Sequence, residues 1–281
     1  MIAIDEIRRI ADDIGVAPPV VDHDYVLGCF LHYLSLQPEV QQNFLFKGGT
    51  SLRKCYFAGY RFSEDLDFTA AKAVAASTIQ RLVNAAKNIM QESIGVRADK
   101  HEVVMETISD DYGKESYEAK LYYEGAWKYG GTPRSIRIHI SRDERLLFSP
   151  RQLPIFHAYS DQKDLPETLI RVYALEEIFA EKLRAFSGQR KRPVARDVYD
   201  LYLISKSGVD IDTALAAFPQ KCAAKGISSA ELDPAKVEQR RPDYQSNWRN
   251  NLEYLVPAAT KPAFEEAWDT SLQLLLRALE K

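Results

Sequence analysis

The sequence predicts an α+β protein, with a mixed sheet in its first part and a helical domain in its second part. Three observations predict this class. A short strand runs through a glycine turn into a helix at 43–57, apolar residues alternate with period two over 102–140, and helical spacing continues from residue 174 onward. We therefore expect an N-terminal α+β domain over 1–173 and a helical domain over 174–281.

The individual elements follow from periodicity, capping residues and turns. In chain order we predict helices 5–14 and 22–37, strand 43–47, helix 52–57, strand 64–68, helix 77–93 ending at Gly95, and strands 102–108, 117–123 and 135–140. Asp22 is the candidate N-cap of the second helix, because Pro18-Pro19 breaks the periodicity before it. The last three strands form an antiparallel set, joined by turns that contain Gly113 and Gly130-Gly131-Thr132-Pro133.

The composition is typical of a globular protein, since 46% of the 281 residues are hydrophobic and 27% are charged. It excludes disordered and collagenous chains. No apolar stretch approaches the about 18 residues of a membrane span, and the N-terminus lacks the order of a signal peptide, so we expect a cytoplasmic protein without a membrane partner. Cys29, Cys55 and Cys222 are widely spaced, which favours buried thiols over a disulfide framework or a zinc ribbon.

Charge is distributed unevenly around a formal net charge of −3. Residues 1–40 carry a local balance of −5, whereas residues 182–206 carry +5. The basic segment indicates a polyanionic substrate, although solvated helix faces produce the same pattern.

The first chemical motif is Lys47-Gly48-Gly49-Thr50-Ser51, followed after thirteen residues by Asp65-Leu66-Asp67. Two glycines between a strand and a helix let the backbone approach a phosphate, and the helix start offers unpaired N–H groups to the anion. On a strand, Asp65 and Asp67 project from one face while Leu66 points into the opposite layer. Two such carboxylates repel each other unless a divalent cation binds, and Mg²⁺ suits one or two carboxylates plus substrate phosphates.

Each half of this motif has an ordinary alternative. A GGTS turn alone is usually only a turn, and an Asp-x-Asp pair alone is usually a solvated strand or loop. The two halves together are a more specific indication of a phosphate- and metal-binding site than either half alone. The pattern is neither a P-loop nor a dinucleotide-binding fingerprint, because the required glycine spacings are missing.

A second constellation lies on two predicted helices. Lys182 falls in the middle of an apolar stripe formed by Leu175, Ile178, Phe179 and Phe186, so it either reaches the surface or meets an anion in a site. We favour the site. Asp197 is likewise a charged residue on the apolar face of the next predicted helix. The alternative is that it is an acid in the first turn, which complements the helix dipole. For Asp200 we favour a salt bridge, with Arg196 or Arg184 as partner.

These motifs resemble the AbiEii/AbiGii family of nucleotidyltransferase toxins, also called MenT-like toxins, of type IV toxin–antitoxin systems. The matching segments, in the family's order, are Phe46-Lys47-Gly48-Gly49-Thr50-Ser51-Leu52, Arg61-Phe62-Ser63-Glu64-Asp65-Leu66-Asp67-Phe68, Glu176-Glu177 to Glu181-Lys182-Leu183-Arg184-Ala185, and Arg196-Asp197-Val198-Tyr199-Asp200-Leu201. The resemblance implies a DNA-polymerase-β-like nucleotidyltransferase core with a mixed sheet, followed by a helical domain that completes the active site.

The resemblance also implies residue roles. Gly48, Gly49, Thr50 and Ser51 would hold the triphosphate of an NTP, while Asp65 and Asp67 would hold Mg²⁺. Lys182 would contact phosphate, and Asp197 matches the acid of the last motif, for which the role of base is one alternative. Lys47 and Arg61 match as well, and their charges would offset the triphosphate.

The chain departs from the broader superfamily at one position. A third carboxylate often lies on a later strand, where this sequence has His139, and Asp143 and Glu144 lie just beyond that strand. The number of metal ions and the identity of the base are therefore open.

The function implied is an Mg²⁺-dependent toxin that transfers NMP from an NTP to RNA, with tRNA the favoured acceptor, and so blocks translation and growth. The loop Gln189-Arg190-Lys191-Arg192 is a candidate grip on RNA phosphates, and Trp127, Tyr129 or Trp248 are candidate stacking residues. The alternatives are the same chemistry on a protein or small-molecule hydroxyl, and a non-catalytic nucleotide- or RNA-binding module. A cognate antitoxin protein is implied by the resemblance alone.

Overall fold

The computed structural model describes residues 1–109, 115–128, 134–142, 144–190 and 192–280. The predicted turns at Gly113 and Gly130-Gly131-Thr132-Pro133 lie outside these residues. The chain forms two compact units. The first comprises Met1–Asp143, Pro150–Val172 and Pro257–Ala259, and the second comprises Glu144–Ser149, Tyr173–Val256 and Thr260–Lys281.

The first unit is an α+β structure built on one mixed sheet. Its helices are α1 (Ile4–Ile14), α2 (Pro18–Ser35), α3 (Pro38–Asn43), α4 (Gly48–Ser51), which continues as a π-helical turn (Leu52–Tyr56), and α5 (Ala76–Ile94). Its strands are β1 (Phe44–Lys47), β2 (Asp65–Ala70), β3 (Val104–Ser109), β4 (Glu115–Tyr123), β5 (Arg134–Ser141), β6 (Arg151–Pro154) and β7 (Leu169–Val172). The described strands are arranged in the order β3-β4-β5-β2-β1-β7-β6.

The pairing directions explain why the sheet is mixed. β2 runs parallel to β5, and β1 runs parallel to β7. The neighbours β1–β2, β3–β4, β4–β5 and β6–β7 are antiparallel. The α+β class and the antiparallel set β3–β4–β5 are thus confirmed.

The two faces of the sheet differ in polarity because side chains alternate along each strand. Leu66, Phe46 and Ile138 are buried on one face, where Ile79 and Leu82 of α5 line the same small apolar space as the strand residues Phe44, Phe68 and Ile140. The other face carries charged side chains and is called the charged face below. Its residues are Lys47 on β1, Asp65 and Asp67 on β2, Arg137 and His139 on β5, Glu118 and Lys120 on β4, and Glu106 on β3.

Helix α2 begins at Pro18, so the prediction of Asp22 as its N-cap is wrong. A proline at the first helical position is favourable, because its missing N–H would have no intrahelical acceptor there. Asp22 lies inside the helix, fully buried, and accepts a hydrogen bond from the Trp127 N–H at 3.1 Å. Burial raises the pKa of the Asp22 carboxyl.

A buried ionic cluster ties α2 to the turn that follows α4. The Asp24 carboxylate accepts hydrogen bonds from Arg53 Nε and Lys54 Nζ, both at 2.8 Å, and from the Tyr159 hydroxyl at 2.7 Å. Burial alone would raise the pKa of Asp24, but the two cations outweigh it and hold the pKa below its usual value. Removing one partner from such a buried cluster typically lowers the free energy of unfolding by about 3–5 kcal/mol.

Other sequence expectations hold for the first unit. Helices α1 and α5 match the predicted spans closely, and Gly95 ends α5 in the left-handed region with φ +71°. The strands β6 and β7 were not predicted, because four residues are too few to show an alternating pattern. The predicted helix 52–57 begins earlier, at Gly48, without an intervening turn.

Among its described residues, the second unit contains helices and no strands. Its helices are α6 (Leu175–Arg184), extended by a π-helical turn (Ala185–Gln189), α7 (Ala195–Ser205), α8 (Ile211–Ala216), α9 (Phe218–Ala223), α10 (Pro234–Gln239), α11 (Arg241–Asn251) and α12 (Phe264–Leu279). Aromatic rings form its core, with Trp268 against Phe186 and Phe264 against Trp248. Trp248 is buried there, so it is not available to stack on a nucleobase as the sequence suggested.

Two expectations about the whole chain can be compared with the structure. Cys29, Cys55 and Cys222 are all buried and free, as predicted. Within the described ranges, no helix combines the length and apolar character needed to cross a lipid bilayer.

We predict that stability falls as pH falls because of His32. Burial, and then the neighbouring His157, lower the pKa of His32 to about 4, whereas an unfolded histidine has a pKa near 6.5. The unfolded state therefore takes up the proton first, and stability is lost as pH decreases from about 6.5 to about 4, by on the order of 2–3 kcal/mol. Urea unfolding at pH 7 and pH 4.5 measures this loss, which should be smaller in His32→Gln.

The exposed His101 provides the matched control. His101→Gln should keep the pH dependence of the parent protein. An unchanged pH dependence in His32→Gln would contradict the prediction.

Candidate active site

The candidate site begins where β1 passes directly into α4. Lys47 is the last strand residue, and Gly48 adopts φ +76°, a conformation that costs an L-residue about 1–2 kcal/mol. The chain therefore reverses into a helix without a separate loop. The first N–H groups of such a helix lack intrahelical acceptors and point away from its start. This corner is the predicted anion cradle.

Gly48 also has no room for a side chain. A Cβ at this position would lie 2.2 Å from Oδ2 of Asp67. The approach follows from strand register, because Lys47 pairs with Asp67 across β1 and β2. The glycine thus brings the backbone corner and one predicted metal-binding carboxylate into direct contact.

Gly49 lies similarly close to a positively charged side chain, that of Arg61. A Cβ there would lie 2.5 Å from Nη2 of Arg61, whose side chain is buried. Arg61 was predicted to offset triphosphate charge, and the structure places its guanidinium beside the glycine corner. The sequence indicated that the glycines admit a phosphate, but it did not show that they also admit Asp67 and Arg61.

The hydroxyl groups of Thr50 and Ser51 hold the corner together. Thr50 Oγ1 donates to the Asp65 carbonyl at 2.5 Å, and Ser51 Oγ donates to the Gly48 carbonyl at 2.8 Å. Both side chains are buried. The Thr50 bond fastens α4 to β2 and the Ser51 bond closes α4 onto its own first residue, so a phosphate contact by Thr50 or Ser51 would use the backbone N–H rather than the hydroxyl.

Asp65 and Asp67 lie on the charged face, while Leu66 between them is fully buried on the other face. The Asp65 Oδ1 atom lies 2.9 Å from Arg137 Nε, and the two residues are register partners on β2 and β5. The structure therefore has the alternation that the sequence predicted, and it adds an arginine that the sequence did not indicate.

His139 occupies the strand position where the superfamily often has a third carboxylate, opposite Asp67. The structure places Glu118 on the next strand, with its Oε2 3.2 Å from His139 Nε2. The sequence missed Glu118, because its closeness depends on the pairing of β4 with β5. Of the two weaker substitutes, Asp143 lies outside the described residues, and Glu144 forms a 2.9 Å ion pair with Lys225 in the second unit.

The donor set fits a divalent cation that the substrate helps to bind. Nucleotidyltransferases generally use divalent metal ions. Over the described residues, no three His, Cys, Asp or Glu side chains are grouped as a complete metal site. Two carboxylates on one strand face match a magnesium ion, which usually keeps waters and binds substrate phosphates as well.

Lys182 is held by two buried acids within the second unit. Its Nζ lies 2.7 Å from Asp197 Oδ1 and 2.9 Å from Asp200 Oδ2. The Lys182 side chain is 15% exposed, whereas those of Asp197 and Asp200 are 1% and 0% exposed. The charged Lys182 and Asp197 each fall on an apolar helix face because they pair with each other. Asp200 forms the expected salt bridge, but with Lys182.

The basic loop contributes to the same cluster. Arg190 Nε lies 3.4 Å from Asp197 Oδ2. Lys191 and the side chain of Gln189 lie outside the described residues, as does Tyr129, one of the candidate stacking residues. Burial, and then the Asp197 charge, raise the pKa of the nearby Tyr244 to about 12.

The family comparison shows that the protein is a nucleotidyltransferase. The sequence matches the family described as nucleotidyl transferase AbiEii toxin, type IV TA system, over residues 32–270. The chain belongs to this family, and the resemblance seen in the motifs is confirmed.

Solved structures share the fold. MenT4, a nucleotidyltransferase toxin from Mycobacterium tuberculosis, is 19% identical with a TM-score of 0.59, and the match covers 100% of this chain and 99% of MenT4. JHP933 from Helicobacter pylori is 20% identical with a TM-score of 0.56, and the match covers 94% of this chain and 95% of JHP933. A comparison with curated proteins found no match.

We predict that Gly48→Ala abolishes nucleotidyl transfer. The added Cβ would collide with the Asp67 carboxylate and force it to move, in addition to the backbone strain at φ +76°. Gly59 is the matched control, since it has φ +75° and nothing within 4 Å of an added Cβ. Gly59→Ala should lose about 1–2 kcal/mol in urea unfolding from backbone strain alone, and Gly48→Ala should lose at least as much, but only Gly48→Ala should lose transfer. Full transfer by Gly48→Ala would disprove the proposed importance of this contact.

Proposed function

We propose that this chain is an Mg²⁺-dependent toxin that transfers a nucleoside monophosphate from an NTP to RNA, with tRNA as the favoured acceptor. The observation that carries the proposal is the contact between the glycine corner and Asp67 on a strand that also presents Asp65. Modification of tRNA would block translation and growth. The protein would act in the cytoplasm, because its substrates are found there.

The triphosphate would bind at the corner formed by Gly48 and Gly49. The backbone N–H groups of Gly48, Gly49, Thr50 and Ser51 would donate to phosphate oxygens. Lys47 and Arg61 would offset the negative charge of the triphosphate. The buried position of Arg61 against Gly49 supports this assignment, because a guanidinium in that place is close to the backbone donors.

Asp65 and Asp67 would hold the metal ion. A bound Mg²⁺ supplies positive charge where negative charge develops on the phosphates and on the leaving pyrophosphate. The support for this role is the alternation of the two carboxylates on one strand face. Mg²⁺ is favoured over softer metals because the donors are hard oxygens.

The reaction breaks the phosphoanhydride bond between the α- and β-phosphates of the NTP and forms a phosphodiester bond to the acceptor. An acceptor hydroxyl oxygen forms a bond to the α-phosphorus of the NTP, the bond from that phosphorus to the bridging oxygen breaks, and pyrophosphate leaves with the electron pair. The hydroxyl proton must pass to a base. Asp197 is a candidate from the family motif, but its burial and its bond to Lys182 favour a role in positioning the lysine.

Lys182 would contact a phosphate of the nucleotide. Two buried acids hold its ammonium group in one place, which supports a fixed electrostatic role. Asp197 would position Lys182 and so remains among the proposed site residues.

The family description also indicates partners. As a member of a type IV toxin–antitoxin family, the chain is expected to have a cognate antitoxin and to use an NTP. An RNA acceptor is supported by the basic segment at 182–206. The loop at 189–192 would then contact RNA phosphates, with an affinity that decreases as salt increases.

A labelling experiment tests the proposed function. The purified protein is incubated with each α-labelled NTP, Mg²⁺ and either total RNA or purified tRNA. Label on tRNA supports the proposal. Label on protein or on a small molecule would show the same chemistry with another acceptor, and no transfer with any acceptor would favour a binding module.

We predict that Asp65→Asn and Asp67→Asn each abolish this transfer while leaving the melting temperature nearly unchanged. Both carboxylates are partly exposed, so their loss removes little packing. Glu106→Gln is the matched control, because Glu106 is an exposed acid on the charged face that pairs with Lys120. Glu106→Gln should transfer normally. Surviving activity in both aspartate variants would refute the metal-site assignment.

We also predict that Lys182→Met destabilises the protein by about 3–5 kcal/mol, because the buried Asp197 and Asp200 both lose the ammonium group between them. The triple variant Lys182→Met, Asp197→Asn, Asp200→Asn also removes the two buried negative charges and should recover most of the stability, measured by urea unfolding. It should still fail to transfer. If the triple variant were active, Lys182 would be a structural residue only.

A further inference from the structure

We propose that Arg137 is an internal counter-ion of the metal site, which occupies Asp65 when no divalent cation is bound and competes with the cation for that carboxylate. The inference rests on the proposed function, since it takes Asp65 and Asp67 as the metal ligands. It assigns Arg137 a role as a positioning residue that sets the affinity of the site for metal.

The geometry that supports this role is direct. Arg137 and Asp65 are register partners on the parallel strands β2 and β5, so their side chains leave the sheet side by side on the charged face. Arg137 Nε lies 2.9 Å from Asp65 Oδ1. A metal ion bound to this oxygen at about 2.0–2.1 Å would lie close to the guanidinium, and the two positive charges would repel each other.

The electrostatics explain why a cation is needed there. Asp65 and Asp67 lie on the same face of one strand, and their charges repel each other. The arginine neutralises one carboxylate and leaves the other, which touches the Gly48 corner, available. Arg137 thus supplies part of the positive charge that a bound metal ion would supply to the two carboxylates.

The exposure of the two partners makes the exchange feasible. The side chain of Arg137 is 48% exposed, whereas that of Asp65 is 24% exposed. The guanidinium can therefore rotate into solvent or toward a polyanion, while the carboxylate stays in place on the strand. An ion pair with this much solvent contact is weak enough for a divalent cation to replace it.

The test measures metal binding without nucleotide or RNA. Binding of Mn²⁺ alone is followed by electron paramagnetic resonance of the free ion, for the parent protein, Arg137→Gln and Arg142→Gln. Arg142 is the matched control, since it follows the same strand but pairs with Glu115 instead. Arg137→Gln should bind Mn²⁺ about two- to fivefold more tightly, from the usual strength of exposed ion pairs. Arg142→Gln should bind as the parent does.

The outcomes separate this inference from the function on which it rests. If Asp65→Asn abolishes Mn²⁺ binding but Arg137→Gln binds as the parent does, the counter-ion role is wrong and the metal site stands. Equal tightening in Arg142→Gln would show a general charge effect and would also overturn the inference. If Mn²⁺ binding did not depend on Asp65 and Asp67, the proposed metal site itself would fail.

Discussion

The register of β1 against β2 is the constraint on which the candidate site depends. It pairs Lys47 with Asp67, so the residue after the strand, Gly48, falls against the Asp67 carboxylate with no space for a Cβ. A shift of one residue would turn both aspartates to the buried face, where Leu66 now lies. The apolar residues of β2 therefore fix the position of its acids.

The corner is held by the side-chain hydroxyls of Thr50 and Ser51. Thr50 fastens the helix to the Asp65 carbonyl, and Ser51 closes the turn onto Gly48. Charges of both signs are brought close to the two glycines, Asp67 at the first and Arg61 at the second. Such a corner suits a ligand that carries phosphate and a cation together, as a metal-bound triphosphate does.

The sequence predicted the parts that depend on local pattern. The glycine corner, the alternation of Asp65 and Asp67 and the apolar setting of Lys182 are properties of single strands and helices. It could not predict Arg137 beside Asp65, or Glu118 beside His139, because these contacts depend on which strands become neighbours. It likewise left open the partner of Lys182, since α6 and α7 had to be packed before Asp197 and Asp200 could be seen to share it.

The central claim is that one metal-bound triphosphate sits between the glycine corner and the two aspartates. Crystals grown with Mn²⁺ and a non-hydrolysable NTP analogue would test it directly, through the anomalous scattering of manganese. The account predicts an anomalous peak within bonding distance of Asp65 and Asp67, with phosphate oxygens against the N–H groups of Gly48 and Gly49. A nucleotide bound elsewhere, with no manganese at these carboxylates, would contradict it.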